Sequence, residues 1–119
     1  MVIRKAEKDG VIFIETVPGD TMIANTQDAV DLLSLAGSEK TNRVIIHADN
    51  LHKDFFDLKT GLAGEILQKF ANYFIKSAII LTPDLTKHRK FQQMIRESNR
   101  NGDTGYFDDR EAAMQWILG

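Results

Sequence analysis

Apolar positions recur along this chain with two different periods, and each predicts a different kind of element. Two short β-branched runs come first, Val2 to Glu7 and Val11 to Val17, separated by Lys8, Asp9 and Gly10. Asp-Gly between such runs predicts a hairpin, because both residues tolerate the positive φ of a type I′ turn. Val11 to Ile14 is unbroken apolar sequence, which suits a strand covered on both faces. Pro18, Gly19 and Asp20 end it.

Helical spacing follows. Asn25, Thr26 and Asp28 offer capping oxygens for a helix whose stripe is Ala29, Val30, Leu33 and Ala36, widened by Leu32 and ending before Gly37. RVIIH, from Arg43 to His47, reads as a buried central strand. A longer stretch, Phe55 to Phe74, starts polar and turn-like at Asp57, Lys59, Thr60 and Gly61. It then becomes helical, with Leu62, Ile66, Leu67, Phe70 and Phe74 on one face. Ile75 to Leu81 is the next strand, stopped by Pro83 and Asp84. A basic helix is expected over Lys87 to Arg100, with Phe91, Met94 and Ile95 as its apolar face and Asn101-Gly102 as its end. Thr104 to Phe107 is a short strand. Asp108 and Glu111 are spaced as a capping box for a last helix that turns Ala112, Ala113, Trp116 and Ile117 inward. The order is β-β-α-β-α-β-α-β-α, an α/β domain with one mixed sheet spanning residues 1–119 and connections too short for a second domain.

Composition narrows the function classes. A formal charge of -2 and no cysteine leave no electrostatic footprint for nucleic acid and no thiolate chemistry. No segment approaches the roughly 20 apolar residues of a membrane span, and the N-terminus lacks a signal-peptide core. The expectation is a cytoplasmic domain with no membrane span and no nucleic-acid partner.

Candidate chemistry gathers after the central strand. Thr60, at a helix start where amides are unsatisfied and the dipole is positive, is placed either to take a phosphate or to cap the helix. Asp57 and Lys59 lie beside it. Gly61 and Gly64 each cost about 1 kcal/mol in a helix interior, which suggests close approach of the sheet or a ligand. They fit neither a dinucleotide nor a P-loop fingerprint. His47, Asp49, His52, Asp54 and Asp57 carry metal-ligand chemistry, and His47 and Asp49 alternate along a strand, so both could point to one face. Ser77 and Ser98 lack a nucleophile-elbow context. The basic stretch from Lys87 to Arg100 reads as a solvated face, with an acidic partner as the alternative.

Thr60-Gly61-Leu62-Ala63-Gly64, with Asp57 before it, resembles the Asp-Ser-Ser/Thr-Gly-Leu-Gly motif of the STAS domain, the fold of bacterial anti-sigma-factor antagonists. Leu58 and Lys59 lengthen the spacing, and Ala63 stands where glycine is usual. The chain is also similar to a group of small uncharacterised bacterial proteins sharing FFDLKTGLAGEILQKF and ESNR. The resemblance implies a STAS-like mixed sheet of about five strands and four helices, acting as a non-enzymatic regulatory or protein-interaction module. By the same analogy Thr60 is the regulatory phosphorylation site and the partner a kinase or an anti-sigma-like factor. The binding surface would comprise Asp57, Lys59, Thr60, Gly61, Gly64, His47 and Asp49. No cofactor and no metal are assigned, and a homodimer is compatible. The alternatives are a small-ligand or lipid-binding STAS-like protein, with Phe55 and Phe56 as pocket or lid, and a metal-dependent hydrolase using His47, Asp49 and His52.

Overall fold

The computed structural model describes residues 1–84, 92, 95 and 103–119. Its strands are β1 (Ile3–Lys8), β2 (Val11–Thr16), β3 (Arg43–His47), β4 (Lys76–Ile80) and β5 (Thr104–Phe107). They form one mixed sheet in the order β1-β2-β3-β4-β5, with the β1–β2 hairpin antiparallel and every other neighbour parallel. Three α-helices are found among the described residues: α1 (Thr26–Ser38), α2 (Leu62–Asn72) and α3 (Arg110–Leu118). The basic helix expected from Lys87 to Arg100, with Ser98 and the ESNR run, lies outside the described residues apart from Gln92 and Ile95.

Strand alternation sorts the side chains onto two faces. Ile14, Val44, Ile46, Ile75 and Ile79 meet α1 and α2 through Leu32, Ala36, Ile66 and Phe70, and this is the larger core. Phe13, Ile45 and Ala78 meet α3 through Ala113, Met114 and Ile117 on the other face. The last helix therefore turns Met114 inward and leaves Ala112 exposed, unlike the expected stripe. Strands β2 to β5 follow one another without reversal. Among the described residues the sheet thus shows no topological switch point of the kind at which open α/β sheets hold nucleotides.

The turns explain why the elements stop where they do. Asp9 and Gly10 have φ of 54° and 79°, the positive pair a type I′ hairpin requires. Helix α1 continues through Gly37 to Ser38, past the expected end, because Lys40 takes the left-handed position at φ 58°. The Thr41 amide then donates to the Ala36 carbonyl at 3.0 Å and the Lys40 amide to that of Gly37 at 3.0 Å. Helix α2 ends the same way, with Ile75 donating to Phe70 at 2.9 Å and Phe74 to Ala71 at 3.1 Å. Both ends are Schellman motifs carrying a side chain where glycine is usual. Phe74, at φ 58° and 83% exposed, is therefore off the apolar face that the periodicity assigned to it.

Helix N-termini are capped by side chains at α1 and α3. Asn25 Oδ1 accepts from the Asp28 amide at 2.8 Å, and Asp28 Oδ2 accepts from Ala24 at 2.9 Å. At α3 the cap is Asp109, which accepts from Ala112 at 2.8 Å, one residue later than the expected Asp108. Glu111 does not close a capping box; its carboxylate accepts from Gln115 at 3.1 Å. Two cations hold the other end of α3: Lys76 Nζ donates to the Trp116 carbonyl at 2.8 Å, and the Arg43 guanidinium donates to that of Ile117. The positive charges meet the negative end of the helix dipole.

Candidate functional site

The segment between β3 and α2 is a chain of three short 3-10 turns, Ala48–Asn50, Lys53–Phe56 and Leu58–Thr60. Its anchor is Phe55, fully buried and edge-to-face with Phe56 at 5.1 Å between ring centres. This corrects the reading of that pair as an exposed lid: Phe55 belongs to the core, and Phe56 packs against it.

The second and third turns are each closed by a side chain. His52 Nδ1 accepts from the Asp54 amide at 3.0 Å, and Asp57 Oδ1 accepts from the Lys59 amide at 3.1 Å. Thr60 ties the last two turns to the helix. Its hydroxyl lies 2.6 Å from the Asp54 carbonyl and 2.9 Å from that of Asp57, sharing one proton between them, and it accepts from the Leu62 amide at 3.2 Å. Thr60, Lys59 and Asp57 are all exposed, and Leu58 beside them is 51% exposed. The N-cap of α2 is Gly61, at φ 73°, and it contributes no side-chain bond. Thr60 is thus a latch one residue before the cap.

Neither glycine makes the close approach that their spacing suggested. A Cβ built on Gly61 or Gly64 meets nothing within 4 Å. Gly61 is needed for its left-handed backbone, whereas Gly64 faces open space within the helix.

The histidines and carboxylates after β3 do not converge on one point, although His52 Nδ1 and Asp54 Oδ2 stand 3.6 Å apart. The strand ends at His47, so Asp49, exposed in the following turn, does not continue its alternation. His47 Nε2 is 2.7 Å from Glu15 Oε2, and His52 spends Nδ1 on its own turn. Among the described residues no group of three such side chains is placed to hold a metal ion. His47, Asp49 and His52 thus form no common metal site among the described residues. Ser77 is buried against Thr104, 3.0 Å between hydroxyl oxygens.

The residues that do converge are Glu15, His47 and Arg110. Glu15, with a side chain only 10% exposed, sits at the end of β2 and is gripped by Arg110 through Nη2 at 2.7 Å and Nε at 3.0 Å. Burial pushes the Glu15 carboxyl up, but the hydrogen bonds from Arg110 and His47, with their charges, outweigh it and hold the group below its usual range. The cluster joins β2, β3 and the first turn of α3. Sequence reading passed over Glu15 and Arg110. The available signal was a carboxylate directly after VIFI, in a strand expected to be buried, where an ionised group needs a partner.

Asn50, fully buried, fixes the neighbouring loop by donating from Nδ2 to the carbonyls of Val17 at 2.9 Å and Asp20 at 3.0 Å. Its own carbonyl accepts from the amides of Met22 at 2.8 Å and Ile23 at 2.9 Å.

One family model, described as a domain of unknown function (DUF4180), matches residues 8–117. The chain belongs to that family. No curated protein and no solved structure matches it. The DUF4180 match takes in the Glu15–His47–Arg110 cluster, the Thr60 latch, α1, α2 and α3 up to Ile117, while most of β1 precedes it.

Proposed function

We propose that this DUF4180 protein is a non-enzymatic regulatory module, STAS-like in the manner of the anti-sigma-factor antagonists, whose working surface is the segment from Asp54 to Gly64. The observation that carries the reading is the position of the Thr60 hydroxyl. It is exposed, yet its proton holds two backbone carbonyls and its oxygen holds the first amide of α2. A phosphate on that oxygen removes the proton the carbonyls share and adds about -1.5 to -2 of charge. The added charge would stand among the carbonyls and side chains of Asp54 and Asp57. Modification would therefore release the two 3-10 turns and reshape the surface around Leu58 and Lys59, rather than merely recolour it.

The partner implied by the analogy is a protein: a kinase acting on Thr60, or a factor docking beside it. Thr60→Ser keeps the donor and the acceptor, and Thr60→Glu removes the donor and adds a carboxylate. On this reading, hydrogen exchange over residues 54–62 is unchanged in the Ser variant and faster in the Glu variant. A protein captured from host lysate by wild type and Thr60→Ser is lost from Thr60→Glu. Equal retention by all three, with the loop demonstrably opened by Glu, would end the switch reading.

A further inference from the structure

We propose that the free edge of β1 receives an extended acidic segment of another protein, which joins the sheet as an added strand. Among the described residues β1 pairs with β2 alone. The Val17 amide donates to the Val2 carbonyl at 3.2 Å, and the two-residue turn closes on Lys8 and Val11. Antiparallel alternation then commits the backbone of Val2, Arg4, Ala6 and Lys8 to β2, and directs the amides and carbonyls of Ile3, Lys5 and Glu7 outward. Among the described residues nothing bonds to that outward row.

Charge selects what pairs there. Ile3 packs into the core beneath α1 and α2, and on that same face Lys5 is engaged by Glu39 at 3.2 Å. Arg4, Ala6 and Lys8 lie on the α3 face, where Ala6 packs beside the smaller core. Glu15 stands directly across from Arg4, but its carboxylate is spent on Arg110 and His47. Arg4 and Lys8 are therefore exposed cations with no ion pair among the described residues, flanking one small residue.

An incoming strand places its residues k, k+2 and k+4 beside these three. The complement is an acidic residue, a small residue and a second acidic residue. A second copy of this chain gains no such complement. Two-fold pairing centred on Ala6 sets Arg4 against Lys8 of the second copy, a repulsion that the pairing of Lys5 with Glu7 only offsets, and pairing centred on Lys5 or Glu7 sets that residue against itself. Charged edges commonly deter self-association in this way, and here the same charges favour an acidic guest. The β1 edge shares no residue with the Asp54–Gly64 segment, so the site is independent of the Thr60 surface.

The test uses the full chain and two synthetic nonapeptides, Thr-Val-Glu-Val-Ala-Val-Glu-Val-Thr and the same peptide with lysine for both glutamates. The acidic peptide should bind roughly tenfold tighter, the effect of two cross-strand charge pairs reversed. It should also slow amide exchange at Ile3, Lys5 and Glu7. The Arg4→Glu/Lys8→Glu double variant should prefer the lysine peptide, with the slowed exchange still at Ile3, Lys5 and Glu7, which separates pairing at the edge from general charge attraction. Equal binding of both peptides, protection elsewhere on the chain, no binding of either at millimolar concentration, or an unreversed preference in the double variant would each overturn the proposal.

Discussion

Replacing Glu15 with glutamine tests whether the cluster at the end of β2 holds the last helix in place. Glutamine keeps the size of the side chain and removes its charge, so the loss is electrostatic rather than a cavity. Breaking a fully buried ion pair costs about 3–5 kcal/mol when the survivor stays buried. Here Arg110 is 49% exposed and can turn to water, while His47, at 16%, cannot. Hydrogen bonds to charged groups contribute about 1.5–3 kcal/mol each, and the amide of glutamine replaces part of one. The expected loss near neutral pH is therefore about 2 kcal/mol, a large share of the roughly 5–15 kcal/mol that stabilises a domain. In urea this moves the midpoint down by about 1 M for a slope of about 2 kcal/mol per M.

The loss depends on pH in a fixed direction. Glu15 is held below the ordinary carboxylate range in the folded chain. Its contribution is complete above the unfolded value and is lost as pH falls through the lower, folded value. Wild type and Glu15→Gln should differ by a constant amount at neutral pH and converge in acid. A double-mutant cycle with Arg110→Met should give a coupling of about 1–2 kcal/mol. A Glu15→Gln protein as stable as wild type at neutral pH, or a cycle without coupling, would refute the reasoning.

The two glycines of the α2 start should respond oppositely. Gly64→Ala, with open space at its Cβ, should stabilise by about 1 kcal/mol, and Gly61→Ala, at φ 73°, should destabilise by about 1–2 kcal/mol; thermal unfolding of the pair shows either the split or its absence. Phe74→Gly removes a left-handed penalty of about 1–2 kcal/mol and adds back roughly 0.4–1 of unfolded-chain entropy. A net gain near 0.5–1 kcal/mol is expected, and a loss would mean the exposed ring makes contacts that outweigh its strain.

What was legible in the sequence divides by the range of the interaction that decides it. The hairpin was readable because Asp9-Gly10 has one favourable conformation, β3 because its apolar run admits one burial, and β5 because it is bracketed by Asn101-Gly102 and Asp108. Their bounds, Arg43–His47 and Thr104–Phe107, agree with the structure to the residue. Helix ends were less so. Gly37 looked like a terminator, yet the chain ran on, since a Schellman turn can be made at Lys40 for about 1 kcal/mol. The site was legible only in part for a different reason. Thr60, Asp57 and Gly61 act on neighbours within six residues, so their crowding along the chain was real crowding in space, and the latch they form is a local device. The His47–Asp49–His52 grouping failed on the same test: it assumed a strand continuing past His47, and a 3-10 turn begins there instead. Glu15 and Arg110 are 95 positions apart, and no local pattern links them. Only sheet order and the return of α3 to the second face bring them together. The same event has a consequence at the edge. Because Arg110 and His47 occupy Glu15, the cation opposite it on β1 is left unpaired, so the contact that closes the fold on one side is what leaves Arg4 available on the other. Glu15→Gln, which loosens the first, should leave acidic-peptide binding at β1 intact, whereas Arg110→Met frees Glu15 to pair with Arg4 and should weaken it.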